Sequence, residues 1–146
     1  MLGQYLKGNT KFIEEVSSWE ESIKIAAKPL LEKKFIKETY IQSMIDNVHK
    51  YGGYIVLVPE IAMPHAKDED SVNQTGMSFL KLEKPVEYPD EKEVKIIFVL
   101  AAKDNSGHLE LIADLSSILA DDDVLTKFKN VKNEKELIEL IKTVEE

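Results

Sequence analysis

Three imidazoles, His49, His65 and His108, are the side chains in this chain best suited to reversible chemistry near neutral pH. Each falls at an expected element boundary rather than inside an apolar stripe, and boundaries are where loops gather over a sheet and sites form. Imidazole can accept and release a phosphoryl group, because one ring nitrogen carries it while a hydrogen bond holds the other. His65 closes the run Ile61-Ala62-Met63-Pro64-His65-Ala66, an apolar, strand-like stretch ending on proline. Pro64 fixes φ and removes a donor just before the histidine, which stiffens the approach. An edge-strand proline with no chemical role would read the same way. His108 follows Asp104-Asn105-Ser106-Gly107 at the start of an expected helix. Free N–H groups and the positive end of a helix suit phosphate oxygens. Gly107 would let the backbone approach an anion closely, although Asp104, Asn105 and Ser106 also serve simply as caps. His49 ends a helix before Gly52-Gly53.

Other chemistries have less support. Three imidazoles can bind zinc with water in the fourth position, but the spacings are long, with no H-x-x-x-H pair and no H-x-E motif. Asp121-Asp122-Asp123 and the acidic residues from Glu83 to Glu93 read as solvated charge and helix capping, not as a hydrolytic carboxylate pair. Cysteine is absent, which removes disulfides, thiolate ligands and cysteine nucleophiles. All 19 cationic side chains are lysine. A bidentate guanidinium clamp is therefore unavailable, and phosphate chemistry must use histidine, lysine, hydroxyls and backbone N–H groups. Net charge is −8 with no evident basic face, so nucleic acid is not an expected partner. An acidic surface steers towards basic partners.

The elements that must hold these residues follow from periodicity. Ser18-Trp19-Glu20-Glu21 predicts a capping box, and Ile23, Ala26, Ala27, Leu30 and Leu31 continue at helical spacing until Pro29 kinks or ends the helix. A second helix is predicted over 38–50, stopped by Gly52-Gly53. Tyr54 to Val58 predicts a strand ended by Pro59, and Ile61 to Met63 a second extended piece. Thr75 to Leu82 predicts a strand followed by a turn at Lys84-Pro85. Val94 to Ala102 is nearly all apolar, as expected for a central strand covered on both faces. Three helices follow: one from His108 to Leu119, one over 121–128 and one over 134–144. The expected fold is α/β: one domain, 1–146, with a mixed parallel and antiparallel sheet between helices in a three-layer sandwich. No apolar window is long enough to span a membrane, and the N-terminus lacks the pattern of a signal peptide. A cytoplasmic location is the expectation.

Two segments resemble one known family. Pro59-Glu60-Ile61-Ala62-Met63-Pro64-His65-Ala66 is similar to the active-site signature of phosphotransferase-system (PTS) IIA domains of the mannitol/fructose type, EIIA type 2. Val99 to Leu111, with His108 opening a helix after the central strand, resembles the family's second landmark. The resemblance covers essentially the whole chain. It implies that His65 is the phosphoryl acceptor, becoming tele-phosphohistidine, with the small carrier protein HPr as donor and a IIB component, usually through cysteine, as acceptor. The membrane component IIC would be met only indirectly. His108 would stabilise the bound phosphoryl group. No metal and no other cofactor is implied. The mannitol and fructose branches usually place arginine sixteen residues before the reactive histidine, where this chain has His49, a possible accessory residue. Ser18 to Ile23, Met44 to Val48 and Tyr51 to Val56 look more like the ascorbate-specific branch. The same fold also serves a nitrogen-related regulatory phosphorelay, which is the alternative reading.

Overall fold

The computed structural model describes residues 2–56 and 58–145. In chain order the elements are α1 (Leu2–Leu6), β1 (Thr10–Ile13), α2 (Trp19–Glu32), α3 (Glu38–Tyr51), β2 (Glu60–Ala62), a 3-10 turn (Glu69–Ser71), β3 (Gly76–Tyr88), β4 (Lys92–Ala101), α4 (Asn105–Leu119), α5 (Asp122–Asn130) and α6 (Glu134–Glu145). The strands form one sheet in the order β1-β3-β4-β2. β1 runs parallel to β3, β3 antiparallel to β4, and β2 parallel to β4. The expected mixed sheet is therefore present.

The centre of the sheet is buried on both faces. Ile97, Val99 and Ala101 of β4 join one apolar cluster with Ile23, Ala27 and Leu30 of α2 and Met44 and Val48 of α3. Ile96, Phe98 and Leu100 join the other, with Leu6 of α1, Leu111 and Leu115 of α4, Phe128 of α5 and Leu137 and Ile141 of α6. The period-2 alternation of a strand sends neighbouring residues to opposite layers, so a nearly continuous apolar run is what a central strand needs. Helices cover both faces, as the three-layer expectation required.

Several sequence expectations are corrected. Pro29 neither ends nor visibly interrupts α2, which continues to Glu32. Its missing N–H removes one bond, but Ala26, Ala27 and Leu30 on the same stretch are fully buried against the sheet. The capping box is half as expected: the Ser18 hydroxyl accepts from the Glu21 amide at 3.1 Å, but Glu21 reaches back to the Ser17 amide at 3.0 Å. Tyr54 to Val56, expected to begin a strand running to Val58, is not extended into one. Tyr54 and Ile55 lie in a turn closed by Val56 N–H donating to Gly53 O at 3.1 Å, Val58 makes only an isolated bridge to Ile61, and Leu57 lies outside the described residues. Lys84-Pro85 is not a turn either. β3 passes straight through it, and the ladder register shifts between Lys81 and Val86, where a missing amide does least harm. The reversal comes instead at 89–91, where Asp90 and Glu91 take positive φ of 68° and 58°. This hairpin tip touches the turn after α3: the Asp90 carboxylate accepts from the Gly53 amide at 2.8 Å, and Lys92 Nζ donates to Gly53 O at 3.2 Å. α1 and β1 had no expectation. They are joined through Asn9, whose side chain donates to Tyr5 O and Met77 O. No helix among the described residues is long and apolar enough to cross a membrane.

Candidate functional site

β2 and β4 are parallel neighbours, so the chain leaves both at the same edge of the sheet. β2 ends at Ala62 and the chain passes through Met63 and Pro64 into His65. β4 ends at Ala101, and α4 begins four residues later. Asp104 caps α4, its carboxylate accepting from the Gly107 amide at 2.7 Å, which sets His108 in the first full turn. The two histidine rings then lie 5.2 Å apart between centroids.

The His65 ring is anchored through one nitrogen. Its Nδ1 lies 2.6 Å from the Met63 carbonyl oxygen. A carbonyl only accepts, so Nδ1 carries the hydrogen in this contact and Nε2 keeps its lone pair. Burial holds the His65 pKa below the usual imidazole value, against a smaller opposing pull from the Met63 carbonyl. His108 is 8% exposed. Burial also lowers its pKa, followed by repulsion from His65 and Lys67, with Glu69 acting the other way. Both shifts favour the neutral form of the ring near pH 7. The two rings form a pair with one free basic nitrogen beside a second imidazole.

His49, grouped with these two by sequence, is placed differently. Its ring packs edge-on against Trp19 at 4.9 Å, and Nε2 lies 3.7 Å from the Glu20 carboxylate. Besides His108, Tyr54 approaches the His65 ring, at 6.1 Å between centroids, with Tyr51 5.9 Å beyond it. Tyr51, Tyr54 and Leu109 are the exposed large apolar side chains among the described residues, at 59%, 37% and 57%. Tyr54 borders His65 in space, Leu109 follows His108 in sequence, and Tyr51 lies one ring further out. Sequence reasoning missed Tyr54 because its stretch read as a strand. It could not have found Met63, because the group used is a backbone carbonyl that any residue supplies.

An open cleft of about 310 Å³ adjoins the pair, lined by residues 66–70, Ala102, Asp104, Asn105 and His108. Its wall is acidic, with Asp68, Glu69, Asp70 and Asp104 set against Lys67. The anion cradle expected at Gly107 is not built as foreseen. The Gly107 amide is already taken, and a Cβ there would sit 3.2 Å from the Asp104 Oδ1. With His108 N–H bonded to the Asp104 carbonyl at 3.1 Å, Asn105 and Ser106 supply the turn's remaining amides. A three-imidazole zinc centre is not assembled. Among the described residues no group of three or more His, Asp or Glu converges as a metal site.

The comparisons with known proteins agree with one another. Residues 4–144 match the family described as phosphoenolpyruvate-dependent sugar phosphotransferase system, EIIA 2. The mannitol-specific cryptic phosphotransferase enzyme IIA component of Escherichia coli K12 is 35% identical over 130 residues, spanning 88% of each chain. The ascorbate-specific PTS system EIIA component of the same strain is 32% identical over 130 residues, spanning 87% of this chain and 84% of its own. The solution structure of the mannitol-specific cryptic enzyme IIA from Escherichia coli superposes with a TM-score of 0.88 at 33% identity, over 96% of this chain and 97% of that one.

Proposed function

The chain belongs to the EIIA 2 family of the phosphoenolpyruvate-dependent sugar phosphotransferase system, and we propose from this that it is a cytoplasmic phosphocarrier with His65 Nε2 as the acceptor atom. The observation that carries the proposal is the Met63 carbonyl on Nδ1, which leaves the lone pair on Nε2 of a ring 5.2 Å from that of His108. In the first transfer, the N–P bond of a phosphohistidine on HPr breaks as a new N–P bond forms at Nε2 of His65. In the second, that bond breaks as an S–P bond forms on a cysteine thiolate of a IIB component. The membrane component IIC is reached only through IIB.

Phosphoryl transfer of this kind passes through a loose, in-line transition state, so positioning and charge stabilisation do most of the work. The Met63 carbonyl fixes the tautomer. His108, once protonated, faces the new dianion. Lys67 adds positive charge at the rim. No arginine is present to clamp the phosphate, which suits a group held only in transit. Tyr54, with exposed Tyr51 beyond it, gives a partner an apolar landing beside the reactive ring, and the acidic cleft wall complements a basic donor.

Incubation with enzyme I, HPr and phosphoenolpyruvate, followed by mass spectrometry at neutral pH, tests the reading, because phosphohistidine is acid-labile. One phosphoryl group is expected on the wild-type protein and none on His65→Ala. His108→Ala keeps labelling but slows onward transfer by about 10-fold or more. Full labelling of His65→Ala overturns the assignment. The sugar we propose is ascorbate, supported by the motifs around Trp19, Asn47 and Gly52 and by the ascorbate-specific relative. A mannitol-specific relative is as similar, so the acceptor assay uses IIB components of both types. Faster discharge to the ascorbate IIB supports the proposal, and preference for the mannitol IIB reverses it. Discharge to neither points to the regulatory relay.

A further inference from the structure

We propose that Tyr40 is a positioning residue for this transfer, because its buried hydroxyl fixes the backbone on the far side of His65 and so sets where Nε2 points. The inference rests on the phosphocarrier reading above and extends it to a residue outside the histidine pair.

Tyr40 lies in the first turn of α3 and is completely buried. Its hydroxyl donates to the Leu100 carbonyl at 2.5 Å and accepts from the Ala66 amide at 3.1 Å, with the Ala66 carbonyl 3.4 Å away. A phenol has one proton and accepts on its lone pairs, so these two main bonds are complementary. One oxygen atom thus ties together a helix, the reactive loop and the end of the central strand.

Two further bonds bracket the same loop. Leu100 N–H donates to Pro64 O at 3.1 Å, and His65 Nδ1 donates to Met63 O at 2.6 Å. Residues 63, 64 and 66 are therefore each pinned around the histidine, and the pin at 66 is the one made by a side chain from a distant element. Ala66 is 7% exposed, so without Tyr40 its amide would be a buried donor needing another partner. Burial holds the phenol's pKa far above any physiological pH, so the hydroxyl stays a neutral donor while the nearby imidazoles titrate. A phenylalanine would fill the same space in the core and offer neither bond.

Tyr40→Phe keeps the ring and removes the oxygen. Labelling of His65 by phospho-HPr, measured at saturating donor and at low donor, is read beside ¹⁵N spectra of the imidazoles. The variant is expected to fold with a somewhat lower melting temperature. Its maximal transfer rate should fall by about 10- to 100-fold, as displacement of a reacting atom by roughly 1 Å does. KM for phospho-HPr should change by less than about twofold. The His65 ring should lose its single Nδ1–H tautomer. Tyr88→Phe is the control. It removes another buried phenol, whose hydroxyl is bonded to Ser22 Oγ at 2.6 Å and not to the reactive loop, and should leave transfer unchanged. Wild-type transfer and an unaltered tautomer in folded Tyr40→Phe overturn the proposal. Equal slowing in both variants also overturns it, because the effect is then one of general stability. A wild-type protein that takes no label overturns the phosphocarrier reading itself, and the positioning role falls with it.

Discussion

On the proposed phosphocarrier reading, protonation decides whether His65 can act. Its neutral form attacks, and burial depresses its pKa, so phosphorylation should rise with pH through a midpoint below the ordinary imidazole value of about 6.5 and be flat above pH 7. A rapid-quench pH profile checks this, and a midpoint above 7 contradicts it. Folding stability carries the same sign. Both rings have folded-state pKa values below their unfolded ones, so the unfolded chain binds more protons as pH falls below about 6.5. Stability should therefore drop over that range and level off once the folded rings are also charged. Phosphorylation of His65 would reverse the balance at His108, because it adds a dianion to the ring beside it. NMR titration should show the His108 pKa higher in the phosphorylated protein than in the free one. His65 and His108 were legible in the sequence as two of three boundary histidines, and only the family resemblance set them apart as a pair. His49 was not separable from them, because sequence gives the end of α3 but not the Trp19 and Glu20 side chains that face it there.

Elements fail to be read where tertiary packing overrules a local preference. α2 continues past Pro29 because the residues around it are already committed to the sheet face. β3 absorbs Lys84-Pro85 because its partner strand shifts register there, an accommodation made by the neighbour. The stretch from Tyr54 to Val56 has strand-forming residues and no strand to join, because Gly53 is held by the opposite hairpin. α1 and β1 are too short for periodicity to announce them. By contrast α3, α4 and β4 were legible because pattern and length agree, with Gly52 stopping α3 and Asp104 capping α4. Gly52 ends α3 with φ of 77°, and a Cβ there would stand 2.6 Å from Asp90 Oδ2. Gly52→Ala should therefore destabilise by about 1–3 kcal/mol. Urea unfolding measures this, and a loss under 0.5 kcal/mol would mean that the turn adapts freely. Because the same turn carries Tyr54, the variant should also broaden the His65 resonances.

Across the whole molecule, two apolar layers meet at one sheet, and the site hangs from the edge they share. Phe98 is fully buried, with ring contacts to Phe79 at 5.1 Å and Phe128 at 5.9 Å. Phe98→Ala should cost about 3–5 kcal/mol, read by calorimetry or denaturant. This is a large share of the total stability expected for a domain of this size. The hairpin at 89–91 has a practical consequence. Tips of β-hairpins are usually the safest places to graft an epitope or a fluorophore. Here the Asp90 carboxylate grips the amide of Gly53, one residue before Tyr54, whose ring approaches His65. A reporter spliced into that tip would tug on the reactive centre, so an observer using it would be watching a protein altered by the probe.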